Sequence, residues 1–176
     1  MAKNTVKIYY NKEGEYLYSG NQKEGDREAT QAEIEYWTAN GSTLEGDRAK
    51  KNAENTQAYN NALQAPLVCG QYLVIAEWIN TYTNTYTYAK KCTDEGIVPT
   101  ADIVAFNHKG KLETVTISSI EDFLPFYQTV ADEWARITDI RNKYLVEIQN
   151  TDAPKDIVIS YAKGAEDANA EAEVEE

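Results

Sequence analysis

From Ser118 onward the chain spaces its large side chains by alternating steps of three and four over four heptads: Ile120, Phe123, Tyr127, Val130, Trp134, Ile137, Arg141, Tyr144 and Ile148. That spacing puts them on one face of an α-helix over 119–149, and Ser118-x-x-Glu121 supplies a capping box to open it. A helix carrying so long an apolar stripe needs a cover, so the rest of the chain must provide one or the chain must associate. Leu124, Ile140 and Leu145 widen the stripe beyond a two-stranded seam, and Arg141 interrupts it. Pro125 lies too deep for the first turn and predicts a kink or a helix restart near Leu124. Trp134, midway along the stripe, is expected in the core.

A second stripe, Tyr72, Ile75, Ile79, Tyr82, Tyr86 and Ala89, has the same spacing and predicts a helix over residues 67–91. Its segment TYTNTYTY, residues 81–88, also alternates as a strand would, but the helical phase runs through it unbroken. Two hairpins are expected. Residues 5–18 alternate around Asn11-Lys12-Glu13-Gly14, with Val6, Ile8, Tyr10, Tyr16 and Tyr18 available to one or both faces. ADIVAF and KLETVTI flank Asn107-His108-Lys109-Gly110 in the same way. Thr30-x-x-Glu33 opens a short helix that ends near Asn40-Gly41, and DIVISY, residues 156–161, reads as a closing strand after Pro154.

These elements define an α+β fold: an N-terminal β-hairpin and short helix, then an antiparallel two-helix unit with an intervening β-hairpin and a closing strand. The expected organisation is a 1–41 hairpin and helix unit, a polar helix or linker over 42–66, a helical hairpin domain over 67–161 and an acidic tail over 162–176. The first unit is too small to be stable without the remainder or a partner.

Net charge is −12, which argues against binding nucleic acid or anionic lipid. The last fourteen residues carry six acids and one lysine, a net −5 that leaves −7 for residues 1–162. No apolar stretch reaches the roughly 20 residues of a membrane span, and the start MAKNTVKIYY lacks a signal-peptide core, so a cytosolic setting is expected. Cys69 and Cys92 read as reduced, packed thiols.

Catalytic equipment is sparse. His108, the only histidine, falls in an expected turn, and no phosphate-cradling glycine loop, HExxH, CxxC or GxSxG occurs. No catalytic residue, metal ligand or cofactor is therefore assigned. The thirteen tyrosines and three tryptophans are the unusual feature. They suit core packing with the hydroxyl at the rim, or rigid anchors for a partner. Tyr10, Tyr16, Tyr18 and Trp37 are the candidate partner-binding set. Asn80, Tyr82, Asn84, Tyr86 and Tyr88 form a candidate glycan or partner patch, combining flat rings with amides that can bond hydroxyls.

The run from Ile103 to Ile159, with Val115-Thr116-Ile117 ending its hairpin, the 119–149 helix and Asp156-Ile157 closing it, resembles a domain of unknown function found in bacteriophage tail-fibre and tail-associated proteins. Residues 71–91 correspond to that family's small-residue-rich helix. The resemblance covers about half the chain and implies a structural or assembly protein, an adaptor or fibre chaperone. Its partners would be other phage tail or fibre proteins or further copies of itself, and its location the virion or the host cytoplasm during assembly. It implies no catalytic residue. The alternative expectation, from the charge, is an acidic anti-defence protein that mimics nucleic acid.

Overall fold

The computed structural model describes residues 6–163, so all of the expected acidic tail except Ala162 and Lys163 lies outside the described residues. The fold is α+β, with four helices and two antiparallel sheets among the described residues. The described residues form two compact units, one from 6–56 with 143–159, the other from 57–142 with 160–163.

In the first unit, β1 (Ile8–Tyr10), β2 (Leu17–Ser19) and β3 (Arg27–Glu28) make a sheet of order β2-β1-β3. The expected hairpin is present. Its third strand is an addition, because two residues in a polar loop carry no alternation to read. The connection is longer than the four-residue turn. Asn11, buried, accepts at Oδ1 from the amides of Glu15 (2.7 Å) and Tyr16 (2.9 Å), doing for this loop what backbone pairing does elsewhere. Gly14 holds φ +76, and a Cβ there would run into Glu45 Oε2.

Helix α1 (Gln31–Asn40) begins and ends where its sequence signals lie. Thr30 Oγ1 accepts from the Glu33 amide (3.3 Å), Glu33 Oε2 accepts from the Thr30 amide (2.7 Å), and Gly41 closes the helix at φ +67. Thr30→Ala should therefore lower stability by about 1 kcal/mol in urea titration, the usual cost of a lost cap. No change would mean that the cap is replaced by water at no cost.

The stretch read as helix or linker is one helix, α2 (Leu44–Leu63). Its Asp47 is buried, which would raise its pKa. Hydrogen bonds from Ser42 (2.6 Å), Tyr36 (3.0 Å) and the Lys155 ammonium (3.3 Å) nevertheless hold it below the usual carboxylate range.

In the second unit the expected helix over 67–91 is corrected in its first half. Residues 67–74 form a hairpin, β4 (Leu67–Cys69) and β5 (Tyr72–Val74), followed by a 3-10 turn and then α3 (Ile79–Asp94). Gly70 sits at the first central position of the connection with φ +58, which ends any helix and closes a two-residue hairpin. Leu67 and Cys69 turn inward while Val68 is 72% exposed, the alternation of a strand. TYTNTYTY is helical. Thr85 and Thr87 bond back to the carbonyls of Thr81 and Thr83, which gives β-branched residues a polar partner inside the helix.

The second expected hairpin is β6 (Ala101–Asn107) and β7 (Leu112–Ile117), completing a sheet of order β4-β5-β6-β7. Helix α4 (Ile120–Asn150) follows, capped by Ser119 Oγ on the Asp122 amide (3.0 Å), one residue later than Ser118. It passes through Pro125 without a restart. The core joins both sheet and helices: Val74, Ile103, Ala105 and Ile117 with Tyr82, Phe123, Phe126, Val130 and Ile137. Helices α3 and α4 meet through Tyr82 on Phe123 and Tyr86 on Tyr127, so the sheet shares with them the cover expected from a helix pair alone. The expected closing strand is corrected to a 3-10 turn (Pro154–Asp156) followed by residues that join neither sheet, among which Ile157 is still buried. Trp134 is corrected too. It is 37% exposed.

Candidate partner-binding face

Alternation along β1 sends Tyr9 and Tyr10 to opposite sides of the small sheet. The observed register pairs Tyr9 with Tyr18 and Glu28, and Tyr10 with Leu17 and Arg27. On the Tyr9 side three phenol rings gather, Tyr9 to Tyr18 at 5.8 Å and Tyr16 to Tyr18 at 6.1 Å between centroids. Tyr16 is 39% exposed and Tyr9 and Tyr18 are half-buried. Tyr18 is the fixed member. Its hydroxyl donates to Asp26 Oδ2 (2.6 Å) and accepts from the Lys23 amide (2.9 Å), and the Lys23 ammonium lies 5.2 Å from its ring centre. Burial, and then the bond to Asp26, raise the Tyr18 phenol above its ordinary pKa, so it stays a neutral donor at physiological pH. Asp26 also accepts from the Lys12 amide (3.0 Å), which ties the second loop to the first.

The opposite side is closed. Tyr10 is 3% exposed, its ring lies under the Arg27 guanidinium at 4.5 Å, and it is therefore removed from the expected partner-binding set. Arg27 reaches past it to Glu33, Nη1 donating to Oε2 at 2.8 Å and Nη2 to Oε1, so one carboxylate caps α1 and anchors β3. The guanidinium, joined by the Thr30 bonds, holds Glu33 down at about 2 against the opposing effect of burial. A carboxyl whose folded pKa is depressed stabilises the fold above its ordinary value of 4.5, and that stabilisation is lost as pH falls through about 2. The urea midpoint of the wild type should accordingly fall further between about pH 6 and 2.5 than that of Glu33→Gln. Equal slopes would show that the pair contributes nothing. Trp37 is half-buried on α1 and makes no ring contact with the tyrosines among the described residues.

The second candidate patch divides along the two sides of α3. Asn80, Asn84 and Tyr88, spaced by four, are exposed. Tyr82 is fully buried, donates to the Val104 carbonyl (2.7 Å) and is pushed up in pKa by burial, so it is corrected from a glycan contact to a core residue. Tyr86 is half-buried and stacks flat on Tyr127 at 4.4 Å, so one face of its ring is already covered.

Tyr9 is the residue that sequence reasoning missed, and parity could have found it. Antiparallel pairing around a loop from Asn11 gives opposed residues an odd sum, whether the turn is four residues or six. Tyr16 and Tyr18 therefore belong on the face of Tyr9, away from Tyr10. Among the described residues there is no cluster of His, Cys, Asp or Glu that could hold a metal, and no helix long and apolar enough to cross a membrane. Both cysteines are buried and unpaired, Cys69 on β4 and Cys92 on α3. Comparison with protein-family models, with curated proteins and with solved structures finds no match to this chain.

Proposed function

We propose that the protein acts by protein–protein contact rather than by catalysis, as an adaptor or assembly protein of the bacteriophage tail-fibre region. Its partner, a tail or fibre protein or a further copy of the chain, is engaged through Tyr9, Tyr16 and Tyr18. The phage setting rests on the family resemblance of residues 103–159. The observation that carries the binding role is the three-ring face, in which a locked Tyr18 flanked by two less constrained rings offers contact area at small ordering cost. Tyr16, with the largest exposure of the three, is the anchor best placed to enter a partner's pocket.

The acidic-mimic alternative has less support. Several of the described carboxylates, among them Glu28, Glu33, Asp47 and Glu133, are engaged by basic side chains instead of forming a free, spaced row.

The test is affinity for the tail proteins encoded beside it, measured with wild type and with the double variant Tyr9→Ala/Tyr16→Ala. The double variant should retain its circular dichroism spectrum and lose about tenfold or more in affinity, since anchor residues typically contribute over 1 kcal/mol each. Unchanged affinity for a tail partner would remove the tyrosine face from the interface. Absence of any tail partner would remove the adaptor role.

A further inference from the structure

A cavity of about 440 Å³ lies in the first unit, over one face of α2. Asp47, Lys50, Lys51 and Glu54 line it from that face, spaced by three and four, and Ser42 and Lys155 close it from the sides. Most of its polar groups are already committed. The Lys155 ammonium donates to the Asn40 carbonyl (2.9 Å) and Ser42 Oγ (2.8 Å) and meets Asp47 at 3.3 Å, so the one buried carboxylate is neutralised and all three N–H bonds of this lysine are in use. Lys51 donates to the Ile157 carbonyl (3.0 Å) and pairs with Glu54 (2.8 Å), which leaves it one N–H. Lys50 is exposed and has no partner among the described residues.

Three ammoniums face two carboxylates, and both carboxylates are already paired. The cavity therefore holds a local excess of positive charge in a chain of net charge −12. A cation entering it would have to compete with Lys155 for Asp47. An anion has donors waiting. Two adjacent lysines with several unsatisfied N–H bonds suit an oxyanion that presents three strong acceptors, which is the chemistry of a phosphate group. The volume exceeds that of phosphate alone and falls within the usual range for small-molecule sites.

We infer that this cavity binds a small phosphate-bearing molecule, with Lys50 and the remaining N–H of Lys51 on the phosphate oxygens. The site is separate from the tyrosine face and does not depend on the proposed adaptor role. Titration calorimetry at constant ionic strength, with inorganic phosphate in one arm and a hexose 6-phosphate in the other, tests it on the full chain. Saturable binding is expected, with Lys50→Gln weakening it about tenfold, the scale of a lost charge-assisted hydrogen bond. Glu54→Gln should tighten it, because it removes a competing negative charge. Lys111→Gln, beside the β6–β7 turn, should leave it unchanged. Tighter binding of the ester identifies a phosphorylated metabolite as the ligand, and equal binding identifies free phosphate. Absence of saturable binding, or an equal effect of Lys50→Gln and Lys111→Gln, overturns the proposal.

Discussion

Tyr82→Ala is expected to destabilise the protein by about 3–5 kcal/mol, the usual cost of deleting an aromatic ring from a packed core. The Tyr82 ring is fully buried between Phe123 (5.6 Å) and Trp78 (6.1 Å), and its hydroxyl satisfies the Val104 carbonyl. Truncation opens a cavity and leaves that carbonyl without its donor. Tyr82→Phe keeps the ring and removes only the bond, so it should cost about 1–3 kcal/mol. Urea titration of the two variants separates the contributions. A loss under about 1 kcal/mol for Tyr82→Ala would place the ring at the surface and restore it to the glycan patch.

The second large effect concerns the phase of α4. Ile137→Ala should cost about 2–5 kcal/mol, whereas Trp134→Ala, three residues away and a far larger truncation, should cost less than about 1 kcal/mol. The buried positions are Phe123, Phe126, Val130, Glu133, Ile137, Ile140, Tyr144 and Ile148. That series keeps steps of three and four but takes 126, 133 and 140 where a reading by apolarity alone takes 127, 134 and 141. Trp134 is on the losing side because Glu133 holds the buried position. Glu133 can do so because Arg136 bonds both of its oxygens, at 2.8 and 3.1 Å, and Lys163 stands at 3.5 Å. Those bonds, the Arg136 ones foremost, keep its pKa below the ordinary value despite burial. If Trp134→Ala proves the costlier of the two, the helix is rotated by one position from that described.

The same contest explains what the sequence showed and what it did not. Thr30 with Glu33, the 101–117 hairpin and the helical reading of TYTNTYTY were legible, because each rests on a local rule that tertiary structure had no reason to override. Residues 67–78 were not. Tyr72 and Ile75 happen to continue the helical phase of Ile79 and Tyr82, and that coincidence outweighed Pro66 and Gly70, the two residues that punctuate a hairpin there. Strand β3 was illegible for a different reason. Two residues carry no periodicity, and its place is fixed by Arg27 reaching forward to Glu33 on the next helix and by the Ala29 amide donating to the Ile8 carbonyl (2.8 Å), a contact distant in sequence. The tyrosine face was half legible. Its residue types stood out, but assigning Tyr10 to it required ignoring strand parity.

The central claim is that the Tyr9, Tyr16 and Tyr18 face meets a tail protein, and a photo-crosslinker placed at position 16 during infection tests it most directly. The adaptor account predicts a covalent adduct with a tail or fibre protein, or with a second copy of this chain, formed at position 16 and not at position 112, an exposed site on the other sheet. Adducts to a host nuclease, or equal labelling from both positions, would contradict it.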